Sequence, residues 1–303
     1  MTALPVIGVD VGGTKMAAGI VGADGLLVDY VLHPTPTESQ LKFLAGLEAA
    51  VEALAARGPV AAIGFGVPSR VDQVAHRVVG SVHVPLAGVD LAGHMSERFG
   101  VPASVDNDGN AAAVAEWKLG AGRGTNHMVM LTLGTGIGAG LILGGRPYRG
   151  ALGGGAELGH MVIDVDGPPC GGSCTGHGHF ETLASGSAAS ARARELGFPD
   201  AHALVAAARN GDARAVEALA GIGRVLGAGL VTIVNVFEPE VIVIGGGFSD
   251  AGELVLGPAR EVVAAEALQP GRDFARVVRA ELGPEAGMIG AALIALEALG
   301  DAA

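Results

Sequence analysis

Three short glycine runs, each directly after an apolar stretch, are the first residues that could do chemistry. Residues 6–9 end in Asp10 and lead through Val11 into Gly12-Gly13-Thr14-Lys15. Residues 129–133 lead into Gly134-Thr135-Gly136-Ile137-Gly138, and residues 241–244 into Gly245-Gly246-Gly247. Glycine lets backbone N–H groups converge on an anion with no Cβ in the way. Thr14 adds a hydroxyl donor, Lys15 a positive charge, and Asp10 a carboxylate suited to a magnesium ion held through water. One such turn alone is an ordinary tight hairpin. Three, each at the end of a strand, are hard to dismiss as ordinary hairpins. The spacing is neither that of a P-loop nor that of a dinucleotide fingerprint opening a helix.

A second group carries acid–base and metal-binding side chains. Asp106-Asn107-Asp108 stands just before a helical stretch at 111–119. Taken by itself, Asp108 reads as a helix cap or turn residue. Further on, Gly155-Ala156-Glu157-Leu158-Gly159-His160 is followed by Cys170, Cys174, His177, His179 and Glu181. Soft thiolates with imidazoles nearby in a glycine-rich loop suit a tetrahedral zinc ion. A Cys170–Cys174 disulfide, disfavoured in a reducing compartment, and two unligated thiols are the alternatives.

These groups need elements to position them. Residues 6–9, 16–21 and a third run ending at Val31 read as a three-strand meander turning at Ala23-Asp24-Gly25. Leu41, Leu44, Leu47, Val51 and Leu54 recur every three or four residues, which predicts an amphipathic helix over 40–56, stopped by Gly58-Pro59. A buried strand is expected at 60–67. The opening plan then returns: Gly12 set on Gly134 aligns strand, glycine turn and strand, an internal repeat offset by 122 residues. Alanine-rich helices are expected at 187–196, 201–209 and 214–236, a strand at 241–244 and a closing helix at 288–299. The expected fold class is α/β, in two similarly built halves around a cleft.

Composition narrows the partners. Half of the 303 residues are hydrophobic and only 17% charged, so the chain has ample apolar surface for a core. The net charge of −12 repels polyphosphate backbones and argues against nucleic-acid binding. The uncharged stretch 128–145 is long enough to span a membrane, but its glycines and threonines favour two strands around a loop. No membrane segment and no basic leader are read. Two cysteines allow no disulfide framework, so the expected address is the cytoplasm.

Asp10 to Lys15 and Leu133 to Gly138 resemble the two phosphate motifs of the actin-like sugar kinase superfamily, and Val241 to Gly247 resembles its adenosine motif. Gly155 to His160, the cysteine segment and Glu181-Thr182-Leu183-Ala184-Ser185-Gly186 resemble, more narrowly, the ROK family of sugar kinases and repressors. The resemblance spans essentially the whole chain. It implies two ribonuclease H-like (actin-like ATPase) domains around a central cleft. The first would be 1–119 joined by the C-terminal helix at about 285–303, the second 120–284 with a zinc-binding loop.

The activity implied is ATP-dependent phosphorylation of the 6-hydroxyl of a hexose, glucose above all. Asp108 would be the general base, with His83, Asn107, Asp108, Glu157, His160 and Glu181 around the sugar. Asp10, Gly12, Gly13, Thr14, Lys15, Gly134, Thr135, Gly136, Gly138, Gly245, Gly246 and Gly247 would hold the nucleotide with Mg2+. The family's metal loop is Cys-x-Cys-x4-Cys with the histidine of Gly-His as fourth ligand. This chain has Cys-x3-Cys-x4-His, which implies structural zinc on His160, Cys170, Cys174 and His179, with His177 competing.

His83 replaces a common asparagine in the sugar loop, and Ser69 replaces a glycine. The exact hexose, including fructose, mannose and N-acetylhexosamine, and inorganic polyphosphate as donor stay open. The family also implies a homodimer. Its repressors carry a helix-turn-helix before the first strand; with that strand at Val6 and the negative charge, DNA binding is not expected. A catalytically silent sugar sensor is the remaining alternative, and Asp108 argues against it.

Overall fold

The computed structural model describes residues 4–73, 75, 77–81, 84–172 and 174–301. His83, placed above in the sugar loop, lies outside the described residues. The chain forms two compact units: 1–123 with 147–156 and 284–303, and 124–146 with 157–283. The segment 147–156, expected within 120–284, therefore belongs with the first unit.

In the first unit, β1 (Val6–Val11), β2 (Lys15–Val21) and β3 (Leu27–Pro34) form the expected antiparallel meander. Helix α1 (Gln40–Ala55) follows, its N-terminus capped by Ser39, whose hydroxyl accepts the Lys42 N–H at 3.3 Å. Next come β4 (Ile63–Val67), the hairpin β5 (Ser69–Asp72) and β6 (Arg77–Ser81), α2 (Leu91–Phe99), β7 (Ala103–Asn107) and α3 (Asp108–Lys118). The sheet order is β3-β2-β1-β4-β7, with β4 and β7 parallel to β1. Phe43, Leu47, Val51 and Leu54 of α1 meet Ile7, Val9, Met16 and Phe65 of the sheet in a buried core.

In the second unit, β8 (Met128–Leu133) and β9 (Ile137–Leu143) repeat the opening, and β10 (Arg146–Tyr148) follows where that segment of the unit ends. All four ends of β8 and β9 fall 122 residues after those of β1 and β2. Helices α4 (Phe180–Ala184), α5 (Gly186–Glu195), α6 (Ala201–Arg209) and α7 (Ala213–Phe237) precede β11 (Val241–Gly245). Then come α8 (Glu253–Glu266), α9 (Gly271–Phe274) and β12 (Arg276–Arg279). The order β10-β9-β8-β11-β12 reproduces that of the first sheet, with β11 and β12 again parallel to β8. The expected α/β class and internal repeat are both present. Among the described helices α7 alone is long and apolar enough to cross a membrane; half of that stretch is buried within the protein.

The closing helix α10 (Ala286–Asp301) returns to the first unit and lies on β1, β4 and α3. It lies close because Gly8, Gly64 and Gly290 carry no side chain: a Cβ on each would strike the backbone oxygen of Met288, Ala291 and Ala111, respectively.

Candidate active site

The first glycine run, Gly12-Gly13-Thr14, is the hairpin turn between β1 and β2. The Gly12 N–H donates to the Lys15 carbonyl at 3.0 Å, and the Thr35 hydroxyl donates to the Gly12 carbonyl at 2.8 Å. That leaves Gly13, Thr14 and Lys15 exposed. Asp10, near the end of β1, packs its carboxyl against the Cα of Gly287 in the first turn of α10. Burial pushes its pKa up to about 6, and Lys15 offsets this only in part. An acid pushed towards its neutral form at the end of a strand is a fitting partner for a cation.

The second run is tighter than expected. Gly138 lies within β9, paired with Thr132 of β8, so the turn comprises only Gly134, Thr135 and Gly136. The reason is register: antiparallel pairing continues until Leu133 meets Ile137. The Gly134 carbonyl accepts the Gly186 N–H at 2.8 Å, which ties the turn to the start of α5. Gly245 ends β11, and Gly246 turns the chain with φ of 81° into the short helical segment Gly247–Ala251. Gly134, Thr135, Gly186, Ser187 and Gly247 together line a cavity of about 390 Å³ whose other walls include Arg209 and Phe248. Gly186 was read only as the end of a family motif, and Ser187 and Arg209 only as ends of alanine-rich helices, because nothing in their local pattern marks a cavity wall.

Asn107 is the last residue of β7 and Asp108 the first of α3. The cap of α3 is Asn107: its side-chain oxygen accepts the Gly109 and Asn110 N–H groups at 2.9 and 3.2 Å. Asp108 therefore does not serve as the cap, the role its position alone suggested. It is half-buried in the first helical turn, where a negative charge is favourable. Its Oδ1 accepts the Gly109 N–H at 2.8 Å.

In the second unit, Glu157 is exposed and precedes the helical turn Leu158–His160. Glu181 sits in the first turn of α4 and bridges two features. Its Oε2 accepts the Ile137 N–H at 3.3 Å and lies where a side chain on Gly136 would be, while its Oε1 accepts the Cys170 thiol at 3.3 Å.

His160 Nδ1, Cys170 Sγ, Cys174 Sγ and His179 gather within 4.8 Å of one another, and both cysteines are free. His160 Nδ1 is 3.1 Å from His179 Nδ1 and 3.8 Å from Cys170 Sγ; Cys174 Sγ is 3.7 Å from His179 Nδ1. Tetrahedral zinc with arms of about 2.0–2.1 Å to nitrogen and about 2.3 Å to sulfur has N···N edges of roughly 3.3 Å and N···S edges of roughly 3.6 Å. The donor set fits. Burial, reinforced by the hydrogen bond to Glu181, pushes the Cys170 thiol up to about 12, a cost that a cation would reverse.

His177 is exposed and outside this group, whereas His179 is buried. Gly178 between them has φ of 59°, which breaks strand alternation and turns the two imidazoles apart.

A family model described as "ROK family" matches residues 6–298. A glucokinase of Streptomyces coelicolor is 36% identical over 312 residues, covering 96% of this chain and 97% of the relative. Among solved structures, a ROK family glucokinase from Streptomyces griseus in complex with glucose and AMPPNP superposes with a TM-score of 0.85. It is 34% identical and covers 97% of this chain and 99% of its own. A ROK hexokinase from Thermus thermophilus has a TM-score of 0.83 at 34% identity, covering 98% of this chain and 100% of its own.

Proposed function

This chain belongs to the ROK family, and we propose that it is a glucokinase that transfers the γ-phosphate of ATP to the 6-hydroxyl of glucose in the cytoplasm. The observation that carries this reading is the division of labour at the start of α3. Asn107 caps the helix, and Asp108 stands beside it, half-buried in the first helical turn with Oδ1 on the Gly109 N–H. A sugar hydroxyl is a poor nucleophile at neutral pH, and a carboxylate within hydrogen-bond reach orients it and accepts its proton. As the new O–P bond forms, the bond between the γ-phosphorus and the β,γ-bridging oxygen breaks, and ADP leaves.

Finer roles belong to the same reading, and the hydrogen bonds support them. Asn107 spends its side-chain oxygen on the cap and one amide hydrogen on the Ser69 carbonyl at 3.4 Å, so it meets the sugar as a donor. His160 turns Nδ1 to the cysteine cluster and Nε2 to the sugar. Glu157 and Glu181 accept from vicinal hydroxyls, and loss of such pairs penalises analogues lacking a hydroxyl. Gly13, Thr14 and Lys15 take the phosphates, and the cavity beside Gly134, Thr135 and Gly247 takes the nucleoside. Mg2+ near Asp10 would neutralise phosphate charge. Zinc on His160, Cys170, Cys174 and His179 would stiffen the loop before α4. Cys170, once a thiolate ligand, no longer donates to Glu181 Oε1, which leaves that oxygen for a sugar hydroxyl. The family points to a homodimer, for which light scattering would read twice the 29.9 kDa of one chain.

The test is a coupled assay crossing a panel of hexoses with ATP, ADP, GTP and polyphosphate. Glucose with ATP is expected to give the highest kcat/KM. Asp108→Asn is expected to bind glucose while kcat falls by about 10²–10⁴. Full turnover in that variant would remove the aspartate from its role.

A further inference from the structure

Two residues before Asp108, the carboxylate of Asp106 is only 2% exposed. A buried carboxylate persists only where hydrogen-bonded and paired. Its Oδ2 accepts Arg149 Nε at 2.6 Å; its Oδ1 accepts the Asn107 N–H at 2.8 Å and Asn110 Nδ2 at 2.9 Å. One oxygen thus faces the arginine while the other holds the Asp106–Asn107 peptide, one residue before Asp108, and the Asn110 side chain. Arg149 reaches this position from 43 residues away in sequence. Its loop is closed on itself by the Gly155 N–H donating to the Arg149 carbonyl at 2.8 Å. The loop is also seated on β5: the Cα of Gly153 abuts the Val71 carbonyl, with no room for a side chain, and the Arg70 stem lies against Gly154.

All these bonds converge on the first turn of α3. The Gly109 N–H is shared by the Asn107 and Asp108 side chains, and the Asn110 N–H goes to Asn107. We propose that the Arg149–Asp106 ion pair is a positioning device for Asp108, fixing the Asp106–Asn107 peptide, and with it the capping residue next to Asp108, through the Asp106 carboxylate. This rests on the assignment of Asp108 as general base. Without Arg149, Oδ2 loses its charged donor; the carboxylate reorients, and its hold on the Asn107 N–H changes. A displacement of about 1 Å in a group that must meet a hydroxyl costs on the order of 10²-fold in rate.

The experiment compares Arg149→Met, Arg149→Lys, Asp106→Asn and the double variant Arg149→Met/Asp106→Asn in the full-length protein, with kcat, the KM of glucose, the KM of ATP and Tm measured for each. Arg149→Met is expected to lower kcat by about 100-fold with the KM of ATP within about twofold. Arg149→Lys is expected to recover much of the loss. The double variant, which removes the unpaired buried charge, is expected to exceed Arg149→Met in kcat by about tenfold. If Arg149→Met lowers Tm while the folded enzyme keeps kcat within about threefold, the pair is structural only and the inference is overturned. Should Arg149→Met fail to fold, Asp106→Asn and Arg149→Lys carry the same comparison, and normal kcat in both overturns it equally. The two readings separate cleanly: Asp108→Asn inactive with Arg149→Met active sinks only the positioning role, whereas an active Asp108→Asn sinks the general base itself.

Discussion

Asp10 illustrates how one buried acid couples ligand binding to stability. Its folded pKa of about 6 lies above the ordinary value of 3.8, because burial disfavours the charge. A proton on Asp10 therefore favours the folded state. Its contribution is fully present below about pH 4, declines as pH rises through 6, and is lost above. In the absence of magnesium, Asp10→Asn is expected to melt above the wild type at pH 8, with the gap closing by pH 4. Melts across that range check this; a pH-independent gap would refute it. Ala156, next to Glu157, is a second residue-scale case. Its φ of 69° lies in the left-handed region, where a side chain costs about 1–2 kcal/mol. Ala156→Gly is expected to be neutral or stabilising by up to about 1 kcal/mol in denaturant titrations, against the usual cost of alanine-to-glycine changes.

At the scale of elements, helix α10 and the cysteine loop are the parts whose placement depends on close fit. Gly64→Ala would drive a methyl group into the Ala291 carbonyl, and overpacking of this kind costs typically about 1–3 kcal/mol. Gly300→Ala near the exposed end of the same helix meets nothing within 4 Å and is expected to gain up to about 1 kcal/mol from helix propensity. The sign difference between two identical substitutions, read as Tm, checks the packing. For the cysteine loop, Cys174→Ser is expected to lose bound zinc by elemental analysis and to lower Tm, whereas His177→Ala is expected to retain the metal. Retention by Cys174→Ser would exclude the ligand set.

At the scale of the molecule, binding of each substrate to the folded state raises stability by mass action. Glucose at 100 times its Kd is expected to add about 2.7 kcal/mol, and the nucleotide a further increment of its own. Thermal shifts with glucose, with AMPPNP and with both check this, and glucose without any effect would argue against the proposed substrate. With a net charge of −12, the chain is expected to show no retention on heparin at moderate salt.

The repeated strand–turn–strand plan was readable in the amino acids alone, because short continuous apolar runs leading into glycine are local signals with local causes. So were helix α1, with its heptad-like leucines, and the strand ending at Gly245. The candidate ligands His160, Cys170 and Cys174 were equally legible, since their chemistry is unusual in a chain with two cysteines. What folding alone decided are the pairings between distant residues. Whether His177 or His179 joins the cysteines follows from the left-handed turn at Gly178, and whether Asp108 or Asn107 caps α3 follows from the orientation in which β7 ends. The approach of Arg149 to Asp106 follows from a loop seated on another strand. Such contacts depend on closing long stretches of chain against a packed surface. No periodicity or spacing encodes them, because the energy that selects them exists only once the surface has formed.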